Sequence, residues 1–462
     1  MTTPVFSPAM PHRNKRPASS IQRRLLEDRA AALEKTATHL RFYGQRTYFE
    51  LVNLNFALYK IPLLSGEKIR IDFLCLAAYL WPTWQSVYEA CLANERVQAR
   101  VILLDRERSL LEDASCIDAG SFFKQSDVPY IHYADYAPDV DRPHILMYQL
   151  PYNSIYEQFR KVSPDLVKLR GTRPVYISYG IEYDEAHNKD ATNSLHYHNY
   201  AQSLAWRAFV MHEDIREGYF LNCRTGGEHV HVLGHPRFDV YAHQAPPLPE
   251  HIEEVRRGRN MVLYNVHHPS EHDCRRAGRT HSPPVEETIA ILLWLAEQAD
   301  ICTAISLHPL FEAWAIQKRR VTTKALEDMR KAIHQSPNVV LLTTGDYRPL
   351  LPHMDAFISD QSSLLLEMAF QNKPILYLYD EPLALKPFAE DIFSSFYHGN
   401  GSGQGLADVQ AFLRRLRDGD DQLAGERQRV WSKYFSTCDG RIGQRIVKYM
   451  IAALQAEEGG TV

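Results

Sequence analysis

The chain has 462 residues, of which 45% are hydrophobic and 23% are charged, and its formal net charge is −4 at pH 7. This composition is typical of a globular protein, and the length allows two domains of about 150–200 residues with extensions. The weak net charge gives no reason to expect a nucleic-acid partner. No segment reaches the run of about 18 apolar residues that a membrane-spanning helix needs. The seven cysteines include no C-x-x-C pair, which favours reduced thiols and a cytoplasmic location.

The first 65 residues predict a disordered start followed by a helical extension. Residues 20–60 carry an apolar stripe that includes Ile21, Leu25 and Leu33, with Arg23 and other basic side chains beside it. Such a helix packs on its own domain or on a partner, or it lies on a membrane surface with its basic flanks against the lipid. The sequence leaves both readings of this segment open.

From residue 66 the chain alternates between short apolar strands and helices. The predicted strands of this first set cover residues 69–78, 99–104, 128–133, 145–149, 175–178, 205–211 and 230–233. Strands that alternate with helices indicate a parallel, doubly wound sheet. We therefore predict a Rossmann-like domain over residues 66–245, followed by a proline-rich linker at 243–254.

A second set with the same alternation follows the linker. Its predicted strands cover residues 262–266, 301–307, 339–342, 356–359 and 375–378, and its clearest helices cover 285–298 and 323–335. This set predicts a second Rossmann-like domain over residues 246–415, with C-terminal helices over 416–462. Two such α/β domains leave a cleft between them, and ligands bind at the carboxyl ends of the parallel strands.

The most informative polar turn follows the predicted strand 356–359. Asp360, Ser362 and Ser363 precede a helical run, so the expected helix starts at Ser362. Free N–H groups at a helix start bind anions, and serine hydroxyls add donors, which predicts a phosphate seat. Plain N-capping by these side chains is the alternative. Glu367 lies on the same helix face as Ser363 and either accepts hydrogen bonds from a ribose or faces solvent.

Histidines and an arginine follow other predicted strands. His308 follows the strand 301–307 and can donate to a phosphate or protonate a leaving group near pH 7. His267 and His268 are candidate donors to a diphosphate, and a zinc site with His272 is disfavoured because a proline interrupts the spacing. Arg237 suits bidentate phosphate binding, and it equally suits an ion pair between the two domains.

Several common nucleotide motifs are missing from the sequence. There is no G-x-x-x-x-G-K-[ST] loop, no G-x-G-x-x-G fingerprint and no G-x-S-x-G elbow. The D-x-D pattern at residues 139–141 precedes a predicted strand, away from its carboxyl end, and is a weak metal candidate. We therefore expect neither a metal nor a cofactor.

These motifs together resemble a known family. The turn at residues 360–363 with Glu367 and Lys373-Pro374 resembles the "D-x-S-S … E … K-P" block of the CDP-glycerol glycerophosphotransferase family. Residues 307–309 are similar to its "K-x-H-P" block without the lysine, residues 233–239 to its "G-x-P-R-x-D" block, and residues 439–446 to its closing "D-G … R-I" helix. The ordered blocks run from about residue 230 to residue 447.

The resemblance implies a GT-B fold, with the acceptor on the first Rossmann-like domain and the nucleotide donor on the second. It implies transfer of glycerol phosphate from CDP-glycerol to a glycan or lipid-linked acceptor hydroxyl, with release of CMP. Family members of this kind build teichoic-acid and capsule polymers, which implies a cytoplasmic protein at the inner face of the cell membrane. On matching positions, His308, Ser362 and Ser363 would hold the diphosphate, and Glu367 would lie near the ribose.

One position departs from the family pattern. Many members carry a His-Gly pair after the strand that corresponds to residues 175–178, whereas this chain reads Tyr179-Gly180. Glu182 or Asp184 is then the expected general base, with His187 as a further candidate. The departure also keeps open a GT-B glycosyltransferase that uses a CMP- or UDP-linked sugar, and a non-catalytic scaffold on the same fold.

Overall fold

The computed structural model describes residues 44–104, 119–184, 197–267, 281–308, 311–318, 320–342, 347–380, 382–401 and 403–459. The chain divides into two units, Met1–Tyr48 and Phe49–Val462. Of the first unit only residues 44–48 are described, and they are helical. Most of the N-terminal prediction, together with His187, His268 and His272, therefore lies outside the described residues. All that follows concerns the second unit, apart from the start of the first helix.

Seven parallel strands form the first sheet. They are Ile69–Cys75 (β1), Val97–Leu103 (β2), Tyr130–His132 (β3), Ile145–Tyr148 (β4), Arg173–Tyr176 (β5), Arg207–Val210 (β6) and Val230–Val232 (β7). Their spatial order is β3-β2-β1-β4-β5-β6-β7. The helices of this part cover residues 44–59 (α1), Gln85–Leu92 (α2), Ala119–Gln125 (α3), Pro138–Asp141 (α4), Asn153–Gln158 (α5), Pro164–Leu169 (α6), Tyr200–Ser203 (α7) and Glu213–Asn222 (α8). Short 3-10 helices cover Ala78–Thr83, Arg160–Val162 and Pro236–Ala242.

Six parallel strands form the second sheet. They are Asn260–Val266 (β8), Ile301–Leu307 (β9), Val339–Leu341 (β10), Ala356–Ser359 (β11), Ile375–Tyr377 (β12) and Tyr397–His398 (β13), in the order β10-β9-β8-β11-β12-β13. The helices are Glu250–Arg256 (α9), Val285–Ala296 (α10), Phe311–Gln317 (α11), Thr323–Gln335 (α12), Leu365–Phe370 (α13), Pro387–Phe393 (α14), Gly405–Asp418 (α15), Ala424–Tyr434 (α16) and Ile442–Gly459 (α17), with a 3-10 helix at Leu351–His353.

Both sheets reverse their strand order beside the first strand of each set. The reversal lies between β1 and β4 in the first sheet and between β8 and β11 in the second. The central strands are covered on both faces, so they read as nearly continuous apolar runs, as in the fully buried stretch Met261–Val266 within β8. Ligands of doubly wound sheets bind outside the carboxyl ends at such reversal points. The fold thus directs attention to the loops that follow β4, β5, β8, β9 and β11.

The predicted strands are all present, and most differences concern their ends. The strands at 301–307 and 356–359 and the helix at 323–335 are confirmed with both ends as predicted. The first strand ends at Cys75 rather than residue 78 because the chain turns into the 3-10 helix Ala78–Thr83. The edge strand β13 was not predicted, since its two residues are too few to give a periodic pattern.

The C-terminal helix α17 packs on α2, a helix that belongs to the region of the first sheet. Asp239 accepts hydrogen bonds from the N–H groups of Ile442 at 2.9 Å and Gly443 at 2.8 Å, so it caps this helix from a distant part of the chain. A Cβ at Gly443 would lie 2.4 Å from the backbone of Ser86, and only glycine permits this approach. The predicted domain boundaries remain predictions.

Candidate active site

The loop after β5 contacts the turn after β11, and this contact brings the carboxyl edges of the two sheets together. A Cβ at Gly180 would lie 3.2 Å from the Cβ of Ser363. The Tyr183 hydroxyl donates to the Ser362 carbonyl at 2.9 Å and accepts from the Ser362 N–H at 3.2 Å. Most of the residues that the sequence singled out surround this meeting point.

The turn after β11 differs from its prediction. The helix α13 begins at Leu365 rather than at Ser362. The Ser362 N–H is used by Tyr183, and the Ser362 hydroxyl accepts from the Leu364 N–H at 3.1 Å. The predicted helix start at Ser362 is therefore wrong, because the helix begins three residues later, whereas phosphate binding by Ser362 stays a prediction. Ser363 is the exposed residue of the turn and is the serine still open to a ligand.

Asp360 connects the strand ends of β8 and β11. Its carboxylate accepts a hydrogen bond from the backbone N–H of His267 at 2.8 Å. The Asp360 residue is 2% exposed. Burial raises the pKa of Asp360 to about 7, although the His267 N–H and the Ser282 hydroxyl act in the opposite direction. Asp360 thus holds the backbone of His267 in place, and a direct contact of Asp360 with the donor stays a prediction.

We expect the charge of Asp360 to make folding less favourable at high pH. Because its folded pKa lies above the unfolded value, its contribution to stability is complete below about pH 4 and is lost as the pH rises through 7. Asp360→Asn keeps an acceptor for the His267 N–H without the charge. The difference in unfolding free energy between this variant and wild type should therefore grow in favour of the variant by about 1–3 kcal/mol as the pH rises from 5 to 8. Urea unfolding at several pH values measures this, and a difference that does not change with pH would contradict it.

His267 and His308 form a pair of imidazoles at the ends of β8 and β9. Their ring centroids are 4.8 Å apart at an interplanar angle of 57°. The backbone N–H of His308 donates to the Val266 carbonyl at 2.8 Å. Both residues are half-buried. The pair gives this edge two groups that can donate to phosphate oxygens. Within the described residues, no cluster of three or more His, Cys, Asp or Glu side chains could hold a metal ion.

Arg237 and Glu367 bind each other in a buried ion pair. Arg237 contacts Glu367 Oε1 through Nε at 2.8 Å and Nη2 at 2.7 Å, and Tyr241 donates to Glu367 Oε2 at 2.7 Å. The side chains of Arg237 and Glu367 are 5% and 0% exposed. Of the two predicted roles of Arg237, the structure thus shows the ion pair, and its partner is Glu367. Asp239 instead caps α17. A contact of either side chain with the donor remains a prediction that requires this pair to open.

The two candidate bases after β5 have different surroundings. Glu182 is buried and lines a small cavity with Tyr176 and His235. Burial lowers the pKa of His235 to about 3, so its imidazole is neutral, and Nε2 donates to the Ser178 carbonyl at 2.9 Å. Asp184 is half-exposed and pairs through its backbone with Leu385. The positions of Glu182 and Asp184 do not test which of the two acts as the general base.

The sequence reasoning missed a tyrosine pair at the same edge. The hydroxyl groups of Tyr152 and Tyr179 lie 3.0 Å apart, although 26 residues separate them in the chain. Each tyrosine follows a predicted strand, and β4 and β5 are neighbours in the sheet. Neighbouring parallel strands bring the loops after them together, so this signal was present in the sequence.

Solved structures of other proteins share this two-sheet architecture. S. aureus MnaA in complex with UDP is 13% identical, with a TM-score of 0.57, and the match covers 84% of this chain and 97% of that chain. The UDP-GlcNAc 2-epimerase from Neisseria meningitidis bound to UDP-GlcNAc is 11% identical, with a TM-score of 0.55, and the match covers 83% and 100%. A variant of the wall teichoic acid polymerase TagF is 13% identical, with a TM-score of 0.49, and the match covers 92% and 98%.

The two parallel sheets and the likeness to MnaA and to the Neisseria meningitidis epimerase confirm the predicted GT-B-like α/β fold. The sequence profile of the CDP-glycerol:poly(glycerophosphate) glycerophosphotransferase family matches residues 179–452. The match covers more than half of the 462 residues and contains His267, His308, Ser363 and the Arg237–Glu367 pair. The chain therefore belongs to the CDP-glycerol:poly(glycerophosphate) glycerophosphotransferase family, and it is a transferase.

Proposed function

We propose that the protein transfers glycerol phosphate from CDP-glycerol to an acceptor hydroxyl and releases CMP. Family membership supports the group transferred. The observation that carries the proposal is the approach of Gly180 to Ser363, beside the strand ends that carry the imidazoles of His267 and His308. An anionic donor held on the second sheet would there face an acceptor held on the first.

The proposed reaction is an in-line displacement at the glycerol-bearing phosphorus. The acceptor oxygen forms a bond to this phosphorus, the bond to the bridging oxygen of the diphosphate breaks, and CMP leaves with that oxygen. The acceptor proton passes to a base, for which Glu182 and Asp184 are our candidates. Positioning and charge stabilisation dominate such reactions. We assign stabilisation of the diphosphate to His308, His267 and the exposed Ser363, and we expect no metal requirement.

We extend the proposal to the acceptor and to the place of action. A glycan or a lipid-linked polymer end is the acceptor class that the family description suggests, in the synthesis of a teichoic-type or capsule polymer. Such an acceptor would place the protein in the cytoplasm, at the inner face of the cell membrane. Among the helices that the structure describes, none combines the length and apolarity needed to cross a bilayer.

A nucleotide-sugar transferase is the second candidate function. Two observations favour it: Tyr179 stands where many family members have histidine, and the structural neighbours include complexes with UDP and UDP-GlcNAc. Under this candidate the same edge would hold a CMP- or UDP-linked sugar, and no glycerol phosphate would be transferred.

Donor binding and turnover distinguish the two candidates. We expect CDP-glycerol and CMP at about 100 times their dissociation constants to stabilise the fold by about 2.7 kcal/mol, whereas UDP-GlcNAc at equal concentration leaves the melting temperature unchanged. Thermal unfolding measures this, and chromatography of CMP released from CDP-glycerol measures turnover. Stabilisation by UDP-GlcNAc alone, with no CMP released, would replace the proposal by its alternative.

A further inference from the structure

An open cavity of about 390 Å³ lies beside the start of β6 and the last turns of α17. Its lining combines charged, hydroxyl-bearing and small apolar side chains: Arg207, Glu457, Tyr449, Ala452, Ala453 and Ala456. Arg207 is the first residue of β6, so the cavity lies at the amino edge of the first sheet. The candidate active site lies instead at the carboxyl edges. The volume of the cavity is in the range of small-molecule sites, which is about 300–1,000 Å³.

Arg207 brings to this cavity a positive charge that no described carboxylate neutralises. The acid of the lining, Glu457, uses Oε2 to pair with Arg173 at 2.9 Å and with Lys60 at 3.7 Å. Its Oε1 accepts a hydrogen bond from the Trp206 indole. Arg207 itself forms no ion pair with any residue that the structure describes. Because guanidinium groups pair readily with phosphate and carboxylate, a half-buried arginine without a counter-ion favours a bound anion.

The Arg207 guanidinium also has unused hydrogen-bonding groups. A guanidinium carries five N–H donors, but among the described residues this one donates only to the Trp206 carbonyl, from Nη1 at 2.8 Å. Its Nε is buried and has no partner, so the protein alone leaves the group under-satisfied. The central carbon of the guanidinium lies 4.6 Å from the centroid of the Trp206 ring, and this contact holds the group in place. A fixed guanidinium with spare donors is prepared for a ligand.

The bases near Arg207 are affected by its charge. Burial, together with the charges of Arg207 and Arg216, lowers the pKa of His231 to about 4. Near pH 7 the His231 imidazole is therefore neutral, and it hydrogen bonds to the Tyr449 hydroxyl at 2.9 Å. Burial, again with a contribution from Arg207, lowers the pKa of Lys168 to about 7. Such an effect on two neighbouring bases is expected of a charge that has no counter-ion.

The three alanines of the lining favour an apolar group beside the anion. Ala452 and Ala456 are exposed and Ala453 is half-buried, and their methyl groups form no hydrogen bonds, so covering them with an apolar group is favourable. We infer that the cavity is a second binding site, which takes an organic anion with its phosphate or carboxylate head on Arg207 and a short apolar body against the alanines. This site goes beyond the proposed function and does not depend on it, because no lining residue belongs to the candidate active site.

The test uses butyl phosphate and butyrate as probes, which carry short apolar bodies on the two head types. Inorganic phosphate and 1-butanol separate the contribution of the head from that of the body. Ligand-observed NMR titration of the full chain measures each dissociation constant. Arg207→Gln removes the charge, and Ala456→Leu fills the cavity from an exposed helical position without touching the charge. The matched controls are Arg330→Gln on α12 and Ala411→Leu on α15, at exposed positions outside the cavity.

At least one of the two butyl probes should bind wild type saturably and more tightly than inorganic phosphate, and 1-butanol should not bind. Arg207→Gln should weaken binding of that probe about 10- to 100-fold, as expected for the loss of a hydrogen-bonded charged partner. Ala456→Leu should weaken it at least about 10-fold, because its larger side chain occupies the space of the ligand body. Both controls should match wild type. Added CMP should leave the probe bound, because the donor is expected at the other edge of the sheets.

Absence of saturable binding of both butyl probes would overturn the inference. The same holds if wild type and the two cavity variants bind equally, if 1-butanol binds as tightly as the charged probes, or if CMP displaces the probe. A crystal of wild type soaked with the tighter probe gives a readout that needs no variant. The anionic head should contact Arg207, and a probe found only elsewhere would refute the site.

Discussion

Replacing Glu367 by alanine is expected to lower the free energy of unfolding by about 3–5 kcal/mol. The substitution leaves the Arg237 guanidinium buried without its carboxylate, and it removes the acceptor of the Tyr241 hydroxyl. A buried charge that loses its partner cannot recover its hydration while the surroundings stay folded. The reciprocal variant Arg237→Ala should cost a similar amount, because it strands the carboxylate in the same place.

Equilibrium unfolding in urea measures this loss. Glu312→Ala is the control, because Glu312 forms an ion pair with Arg330, whose side chain is 51% exposed, and exposed pairs contribute about 0–1 kcal/mol. The double variant Arg237→Met/Glu367→Leu should recover most of the lost stability, since apolar groups of similar volume replace a buried pair at little cost. A loss below about 1 kcal/mol for Glu367→Ala would contradict the predicted importance of the pair.

Replacing His308 by alanine is expected to lower kcat for CMP release by about 10²–10³-fold, which is the usual effect of removing one donor that stabilises charge developing in the transition state. His308 is half-buried at the end of β9, with its ring against that of His267. In the proposed reaction it stabilises charge on the leaving diphosphate oxygen. The substitution removes an imidazole from a strand end rather than from the core, so stability should change by less than about 1 kcal/mol.

Steady-state CMP release from CDP-glycerol, together with thermal unfolding, checks this prediction. His334→Ala is the matched control, because His334 is exposed near the end of α12 and lies outside the candidate site. Its kcat should equal that of wild type. If His308→Ala stays folded and keeps kcat within about threefold of wild type, His308 has no part in the chemistry.

The fold could be predicted from sequence because its strands are buried on both faces. Continuous apolar runs such as β8 and β9, separated by helical patterns, leave few architectures other than a parallel sheet. The polar turns after those runs also predicted that the candidate site residues gather at the carboxyl edges of the two sheets. Element ends were less accurate, because a 3-10 turn continues the apolar run beyond β1 and tertiary contacts decide where pairing stops.

The partners of the predicted site residues could not be obtained in the same way. Glu367 and Arg237 are 130 positions apart in the chain, and Tyr183 and Ser362 are 179 apart. Hydrogen bonds over such separations depend on how two sheets face each other, which no local pattern encodes. Ser362 therefore resembled a free helix start in the sequence, although Tyr183 occupies its amide in the fold.

The return of α17 to the first sheet has a consequence for biosynthesis. Arg173 at the start of β5 hydrogen bonds to Glu457, 284 positions later, and the Trp206 indole donates to the same carboxylate. Among the described residues, the acids that form ion pairs with the fully buried Arg173 side chain are Glu457 and Glu458, and the ribosome adds both more than 280 residues after Arg173. We therefore expect the region of the first sheet to be synthesised first but to complete its packing only after the second sheet has been translated, and to stay loosely packed until then.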